Sequence, residues 1–292
     1  MLGELAFKKI TIMLKHIIYS VLVSLIMVSC GNLEQTITPD LRQTTPKVVV
    51  EGLITNDPEK LQTIKLSRST GYYTTGQTEA ISNASVSVED DLGNLYEFSE
   101  SLENSGTYTA SFVGEVGRTY HMDVIVDGQL YEASETMFRV SSFDSLTWII
   151  DEEEKLELED EDDTSGEYYD VLMYVKEPPE TQDYYRFKFY TNGQEDTNDY
   201  QEVYFSDDIL LSEAIDGLES VKYYAIDDSV TIEAYSISRQ AFLFYSDLQT
   251  LLNNDGGIYG PIPANLRNNI SNGALGYFQV SAKSSASIIV GQ

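Results

Sequence analysis

The sequence predicts a mainly β protein with two parts, an N-terminal β-sandwich and a second, mostly β domain that contains one amphipathic helix. Three observations support this. Short runs alternate between apolar and polar residues with a period of two, which is typical of half-buried strands. Turn-forming residues interrupt these runs about every 8–12 residues, as they do in sandwiches. Near residues 238–253, apolar residues instead repeat at spacings of three and four.

The predicted sandwich covers residues 47–142. Its opening run, 48–54, is rich in valine, and the runs 63–67 and 84–89 alternate with period two. Asp127-Gly128 separates two further runs, and this dipeptide favours a tight hairpin. We therefore expect one face of each strand to be buried and the other to face water.

Ten acidic residues and one lysine occupy residues 151–163. Repulsion between like charges keeps such a run extended or loosely helical. We therefore expect an acidic linker or insert at 143–166, between the sandwich and a second domain at 167–292. Calcium collection is the alternative interpretation, although the run lacks the alternating ligands and central glycine of an EF-hand loop.

The second domain is predicted from strand runs, turn signals and the helix. Ser238 is the candidate N-cap of that helix, which is expected near residues 238–253. A hairpin is expected around Asp227-Asp228-Ser229, and a last strand pair around 276–280 and 286–290. Further strands are expected at 171–176 and 184–190, the second of them followed by a turn at Asn192-Gly193.

The N-terminal region has the pattern of a secretory signal. A basic start at Met13 leads into an apolar run, 17–28, which is shorter than the roughly 20 residues needed to span a bilayer. Ser29 then precedes Cys30, and a small residue before cysteine suits cleavage in front of a lipid-modified thiol. We expect a signal peptide at 1–29 with its true start at Met13, lipidation of Cys30, and a polar tether at 30–46.

Residues suited to catalysis or metal binding are few. The chain has one cysteine and two histidines, and a structural zinc site needs four such ligands. We therefore predict no metal site and no cofactor, and we expect His121 to lie in a strand beside Tyr120. Motifs for a nucleophile elbow, a Ser-x-x-Lys pair or a phosphate loop are absent, so no catalytic residue is predicted. A hydrolase built on a chance pair of the many carboxylates is the remaining catalytic alternative.

The formal net charge is −30. A field of this sign repels nucleic acid, so nucleic acid is not expected as a partner. It favours cations and basic proteins, and solubility is the alternative explanation of the charge.

One segment near the C-terminus is the candidate functional loop, because it is rich in asparagine and held by two prolines. A Pro-locked structural crossover is the alternative. Its candidate residues are Tyr259, Pro261, Pro263, Asn265, Asn268, Asn269, Asn272 and Gly273. Adjacent tyrosine pairs, such as Tyr184-Tyr185, are expected to place one ring in the core and one outside, because neighbours on a strand face opposite sides.

Short motifs in the sequence resemble those of two known protein families. Residues 47–140 resemble transthyretin-like, carboxypeptidase-regulatory sandwiches, which are Ig-like in outline, through Val50-Glu51-Gly52, Ser105-Gly106-Thr107-Tyr108 and Gly117-Arg118-Thr119-Tyr120. The chain from about residue 30 to 290 is similar to a Bacteroidota lipoprotein family of unknown function, numbered 4249. The stretches that carry this similarity are Met27-Val28-Ser29-Cys30, Leu66-Ser67-Arg68-Ser69 and 261–278.

The second resemblance implies a lipoprotein of the outer membrane, on its periplasmic or surface face. It also implies a neighbouring TonB-dependent transporter, and so a non-catalytic binding or accessory subunit. The alternative is a structural or assembly protein of the cell envelope that binds basic proteins or surface polymers.

Overall fold

The computed structural model describes residues 15–16, 45–71, 78–160, 165–176, 182–196, 203–207, 214–253 and 266–292. The chain divides into two compact units, Met1–Thr44 and Thr45–Gln292. The second unit contains every element described below. Of the predicted signal peptide, 1–29, all but residues 15–16 lie outside the described residues, as do Cys30 and most of the predicted tether, 30–46. Among the described residues, neither helix has the length and apolar character needed to cross a membrane.

Strands dominate the second unit, as predicted. They are β1 (Val48–Thr55), β2 (Gln62–Arg68), β3 (Ser85–Asp90), β4 (Leu95–Glu100), β5 (Thr107–Ala110), β6 (Thr119–Val126), β7 (Gln129–Thr136), β8 (Phe143–Ile150), β9 (Tyr169–Lys176), β10 (Tyr184–Thr191), β11 (Gln194–Glu195), β12 (Phe205–Asp207), β13 (Ala214–Glu219), β14 (Ser229–Ser236), β15 (Leu275–Ser281) and β16 (Lys283–Ile289). The helices are α1 (Glu152–Asp160) and α2 (Arg239–Leu252).

The first sheet has eight strands in the order β15-β1-β2-β5-β4-β3-β6-β7 and packs in the manner of a β-sandwich. The strand β4 joins its two halves, because it pairs with β3 along most of its length and with β5 at Ser99 and Glu100. Alternation on β6 sends Tyr120, Met122, Val124 and Val126 into a core shared with β1 and β2. The intervening residues of β6 therefore face outward, where they form part of the candidate site.

The strand β15 runs parallel to β1 and closes the other end of this sheet. The expected pairing of the last two strands is therefore wrong, since β16 pairs with β14 in a different sheet. The reason is burial: the last five residues of β15 are all buried, so β15 needs cover on both faces, which a terminal hairpin would not supply.

Two smaller sheets follow, one with the order β11-β10-β14-β16 and one with the order β13-β9-β8. Their facing side chains form a second core, which includes Val171, Met173, Phe187, Phe189 and Ile232. This arrangement confirms a second, mostly β assembly. It also means that β15, from the last part of the chain, belongs to the first sheet while β16 belongs to the second.

The predicted hairpin around Asp227-Asp228-Ser229 is wrong. Residues 221–226 form no strand, and within them Tyr224 makes an isolated bridge to Tyr169. Both edges of β14 are already paired, one with β10 and one with β16. A third neighbour therefore has no edge to join, and Asp227, with φ of 68°, instead forms a turn before β14.

The acidic segment contains α1, and residues 143–150 before it form β8, which pairs with β9. The Asp151 carboxylate accepts hydrogen bonds from the backbone N–H groups of Glu153, at 2.9 Å, and Glu154, at 3.1 Å. The first turn carries Glu152, Glu153 and Glu154. Acids at this end are favourable because the helix dipole is positive there, which explains how so acidic a segment becomes helical.

The predicted amphipathic helix is confirmed as α2. The Ser238 hydroxyl accepts a hydrogen bond from the Ala241 N–H at 3.1 Å, so Ser238 is its N-cap. Ala241, Phe244 and Tyr245 are buried and pack against Tyr277 of β15 in a third, smaller core.

Replacing Ser238 with alanine should lower the free energy of unfolding by about 1 kcal/mol, since it removes this cap. The variant also loses the hydrogen bond that the Ser238 hydroxyl donates to Glu135, at 3.1 Å. Urea denaturation gives the measurement. Ser246→Ala, in the same helix, removes no cap and is expected to leave the midpoint nearly unchanged; equal losses in the two variants would contradict the capping role.

Candidate functional site

The predicted functional loop is described in part. Tyr259, Pro261, Pro263 and Asn265 lie outside the described residues, whereas Asn268, Asn269, Asn272 and Gly273 lie in a segment that crosses the edge of β7. The turn after this crossing uses two left-handed residues, Asn272 with φ of 56° and Gly273 with φ of 74°.

The crossing segment is fixed to β7 by hydrogen bonds in both directions. The Ser271 N–H donates to the Glu132 carbonyl at 2.8 Å, and the Glu132 N–H donates to the Ser271 hydroxyl at 2.8 Å. The Asn272 side chain donates to the Leu130 carbonyl at 2.7 Å. This segment thereby satisfies backbone groups on the edge of β7 that would otherwise be unpaired.

Two asparagines connect the segment to β15 and to the residue just before it. The Asn269 side chain donates to the Phe278 carbonyl at 2.8 Å and accepts from the Phe278 N–H at 3.0 Å, as a neighbouring strand would. The Asn268 side chain donates to the Ala274 carbonyl at 3.1 Å. These amides therefore shape and stiffen the segment, and their polar atoms are already in use.

An open cleft of about 540 Å³ lies between this segment and the outer face of the first sandwich. Its rim carries His121 and Asp123 of β6 and Glu132 and Ser134 of β7. All four residues are exposed, and beneath them lie the buried Met122, Ala133 and Ile270. We call this feature the His121 cleft.

The register of β6 and β7 places like charges opposite each other in the His121 cleft. Asp123 pairs with Glu132, and His121 pairs with Ser134. On the other side of β6, Glu89 of β3 stands opposite His121. Within the described part of the chain, the carboxylates of Asp123 and Glu132 make no hydrogen bond and no ion pair. The register therefore places two negative charges on opposite positions of neighbouring strands, and neither has a partner in this part of the chain.

Replacing Asp123 with asparagine should raise the free energy of unfolding by about 0.2–1 kcal/mol, because it removes the repulsion across this pair. The comparison of urea midpoints measures the effect. Asp144→Asn, on the exposed face of β8, removes the same charge from the chain without an opposite acid and should change stability by less than about 0.5 kcal/mol. A midpoint lowered by Asp123→Asn would show that this carboxylate has a stabilising partner.

A second polar cluster lies in the interior, where the loop between β1 and β2 meets β14 and β16. Glu233, 6% exposed, accepts hydrogen bonds from Lys60 at 3.2 Å and Lys283 at 2.9 Å on one oxygen. Its other oxygen accepts from Tyr190 at 2.9 Å and Tyr235 at 2.6 Å. The four donors come from the β1–β2 loop and from β10, β14 and β16, so the Glu233 carboxylate holds these elements together.

Charge and hydrogen bonding determine the ionisation of this cluster. Burial alone would raise the pKa of Glu233, but hydrogen bonds from Tyr235, Lys283 and Tyr190 outweigh it and lower the pKa to about 2. Lys283 also pairs with Asp57 at 2.6 Å.

In the parts of the chain that the structure describes, no group of three or more His, Cys, Asp or Glu side chains could hold a metal ion.

Where the tyrosine pairs are described, the prediction holds in part: one ring of each pair is buried, but the other is half-buried and does not stand outside. Tyr169, Tyr185 and Tyr224 are buried, and the neighbours Tyr168, Tyr184 and Tyr223 are partly exposed. These outer rings have intramolecular partners. Tyr168 stacks on Tyr169, Tyr184 packs against Phe242, and the Tyr223 hydroxyl donates to Asp151 at 3.0 Å.

Residues 34–287 match the model of a protein family described as a domain of unknown function, DUF4249. The chain belongs to this family. No match to the DUF4249 chain is found among curated proteins.

Two solved structures are distantly similar to the DUF4249 chain. A DUF4785 family protein from Legionella pneumophila is 8% identical with a TM-score of 0.23, and the match covers 65% of this chain and 51% of that one. A segment of two fibronectin type III domains from chicken tenascin is 13% identical with a TM-score of 0.21, and the match covers 66% of this chain and 91% of that one. The chain therefore spans about half the length of the Legionella protein.

Asp123, Glu132 and Ser134 of this DUF4249 chain are not among the site residues predicted from its sequence. A signal for them exists. A two-residue turn at Asp127-Gly128 fixes the register of the strands on either side, so it places residue 123 opposite residue 132. His121, expected in a strand beside Tyr120, does lie in β6. Its neighbours from 268–271 could not be foreseen, because no local pattern links segments so far apart.

Proposed function

We propose that this DUF4249 chain is a lipid-anchored binding subunit of the bacterial outer membrane, which captures a partner without making or breaking covalent bonds. The observation that carries the proposal is the uncompensated pair Asp123 and Glu132 in the open His121 cleft. Like charges held opposite each other reduce stability. Functional sites often include residues that reduce stability, because activity and stability trade off there. The Bacteroidota origin and the transthyretin-like character of residues 47–140 are part of the same proposal.

The anchor is supported by the sequence around Cys30. The apolar run 17–28 delivers a cysteine that follows a small residue, and two or more acyl chains would give stable membrane attachment. Mass spectrometry of protein purified from membranes should find residues 1–29 removed and fatty acid on Cys30. The variant Cys30→Ser, which has no thiol to modify, is the control. Retention of residues 13–29 with an unmodified thiol would contradict the anchor.

A TonB-dependent transporter is the proposed partner, as the family resemblance implies. Affinity purification from detergent-solubilised membranes, through a C-terminal tag, should recover a large β-barrel protein with the chain. Cys30→Ser should recover less, since the unanchored chain is no longer concentrated at the membrane. Recovery of no barrel protein from the anchored chain would contradict this partnership.

A structural or assembly protein of the envelope is the second candidate, and the net charge of −30 favours it. Such a protein would hold basic proteins or surface polymers through a diffuse field. Diffuse attraction is screened over about 8 Å at physiological salt and about 3 Å at 1 M. Partners lost uniformly at high salt would support this role, whereas a transporter retained at high salt would support the first.

A further inference from the structure

We infer that the His121 cleft receives an extended, basic segment of a partner protein, with an arginine or lysine side chain placed between Asp123 and Glu132. The inference rests on the binding role proposed above, but it does not depend on the lipid anchor or on the identity of the transporter.

Charge complementarity selects the occupant. The opposed carboxylates of Asp123 and Glu132 have no partner in the described part of the chain. Glu89 adds a third negative charge one strand away, opposite His121. A guanidinium or ammonium group between two carboxylates gains charge-assisted hydrogen bonds and relieves their repulsion. An acidic or apolar side chain would gain neither.

The shape of the cleft favours a chain segment over a small enclosed molecule. Sites for small molecules are mostly apolar and surround most of the ligand surface. The His121 cleft is open, and its rim is polar, with the Ser134 hydroxyl and the His121 ring beside the acids. An extended segment can lie along an open groove, place one basic side chain between the acids and offer its backbone to these neighbours.

Hydrogen bonds hold the wall of the cleft in place before the partner arrives. Residues 268–272 are tied to β7 through Ser271 and Asn272 and to β15 through Asn269. The floor is the well-packed face of the sandwich, where Met122 is fully buried. A preformed wall reduces the ordering that binding requires. The cleft is therefore suited to binding a segment without rearrangement.

The test is peptide binding to the full-length protein in detergent, measured by fluorescence anisotropy. The probe is a labelled hexapeptide of alternating arginine and threonine, and a hexapeptide of alternating glutamate and threonine is its counterpart. Asp123→Asn combined with Glu132→Gln should weaken binding of the arginine peptide by about tenfold or more. Glu103→Gln combined with Glu167→Gln removes the same charge from exposed positions elsewhere and should change it by less than about twofold.

A steric variant separates the cleft from the general charge. Ser134→Trp leaves every charge in place but fills the cleft from an exposed position on β7, so it should also abolish most binding. Urea midpoints confirm that each variant is folded. No binding by the wild type, equal losses in the two double variants, or full binding by Ser134→Trp would overturn the inference. So would competition by spermidine as strong as that by unlabelled peptide.

The outcome is separable from that of the proposed function. Lipid on Cys30 and recovery of a barrel protein are measured on the native membrane protein, and neither depends on the arginine peptide. If the anchor is confirmed and the peptide does not bind, the inference fails while the membrane assignment stands. If the peptide binds and Cys30 is unmodified, the reverse holds.

Discussion

Glu233→Gln is expected to lower the free energy of unfolding by about 3 kcal/mol. The substitution keeps the shape of the side chain but removes the charge that pairs with Lys60 and Lys283. Removing one partner of a buried ion pair costs about 3–5 kcal/mol, and Lys283 retains Asp57, which favours the lower end. The depression of the Glu233 pKa from 4.5 to about 2 corresponds to a similar value, at about 1.4 kcal/mol per pKa unit.

Glu195→Gln is the matched control for this prediction. Glu195 pairs with Lys188 at 2.8 Å in the same sheet, but its side chain is 40% exposed. Exposed pairs contribute about 0–1 kcal/mol. Urea denaturation at pH 7 measures both variants. A loss for Glu233→Gln no larger than that for Glu195→Gln would show that the interior cluster does not stabilise the fold.

The same carboxylate predicts how stability depends on pH. Its pKa is about 2 in the folded protein and near 4.5 in the unfolded chain, so the unfolded chain takes up the proton first as pH falls. The stabilisation is therefore present above about pH 5 and is lost as pH falls from there to about 2. Glu233→Gln should lack this part of the acid sensitivity, so the two proteins should converge in stability toward pH 2.

Gly276→Ala is expected to lower the free energy of unfolding by roughly 4 kcal/mol or more, a loss that few single substitutions reach. Gly276 has φ of 98°, a backbone conformation that residues with a side chain rarely adopt. A Cβ atom there would also meet the backbone carbonyl of Val50, the residue to which Gly276 is paired across β1 and β15. Backbone cannot move aside as a flexible side chain can, so the strands would have to separate.

Gly128→Ala isolates the steric part of that prediction. Gly128 has φ of 81° in the β6–β7 turn, but nothing lies within 4 Å of a Cβ atom built there. Its cost should be that of the left-handed backbone, about 1–2 kcal/mol. Thermal and urea unfolding of the two variants give the comparison. Similar losses would mean that the close approach of β15 to β1 is not needed.

Local patterns predicted most of the elements. A valine-rich run predicted β1, period-two alternation predicted β2 and β3, the Asp127-Gly128 turn predicted the β6–β7 hairpin, and spacings of three and four predicted α2. These signals come from the side chains of residues that are close in sequence, so they can be found without knowing how the rest of the chain folds. Which strands pair with each other cannot be predicted from these local patterns. Residues 221–226 have a strand composition but lie beside a β14 already paired on both edges.

The candidate site was predictable in the same limited sense. The asparagines at 268 and 269 were identified, but their amides hold the backbone of Ala274 and Phe278, which no composition reveals. Asp123 and Glu132 lie within one hairpin, and their opposition follows from its turn. Residues 268–271 lie beside that hairpin because Ile270 forms a β-bridge with Ala133. These two residues are far apart in sequence, so no local pattern predicts their contact.

The parallel pairing of β1 with β15 has a consequence for the time course of folding. Val50 near the start of the unit is paired in register with Gly276 near its end, so the first sheet acquires its last strand only after the residues between β1 and β15 have been synthesised. Closing so long a loop is entropically unfavourable and slows folding. A nascent chain that stops short of residue 275 should leave the edge of β1 open to other polypeptides, and should therefore be a substrate for chaperones or for aggregation until synthesis is complete.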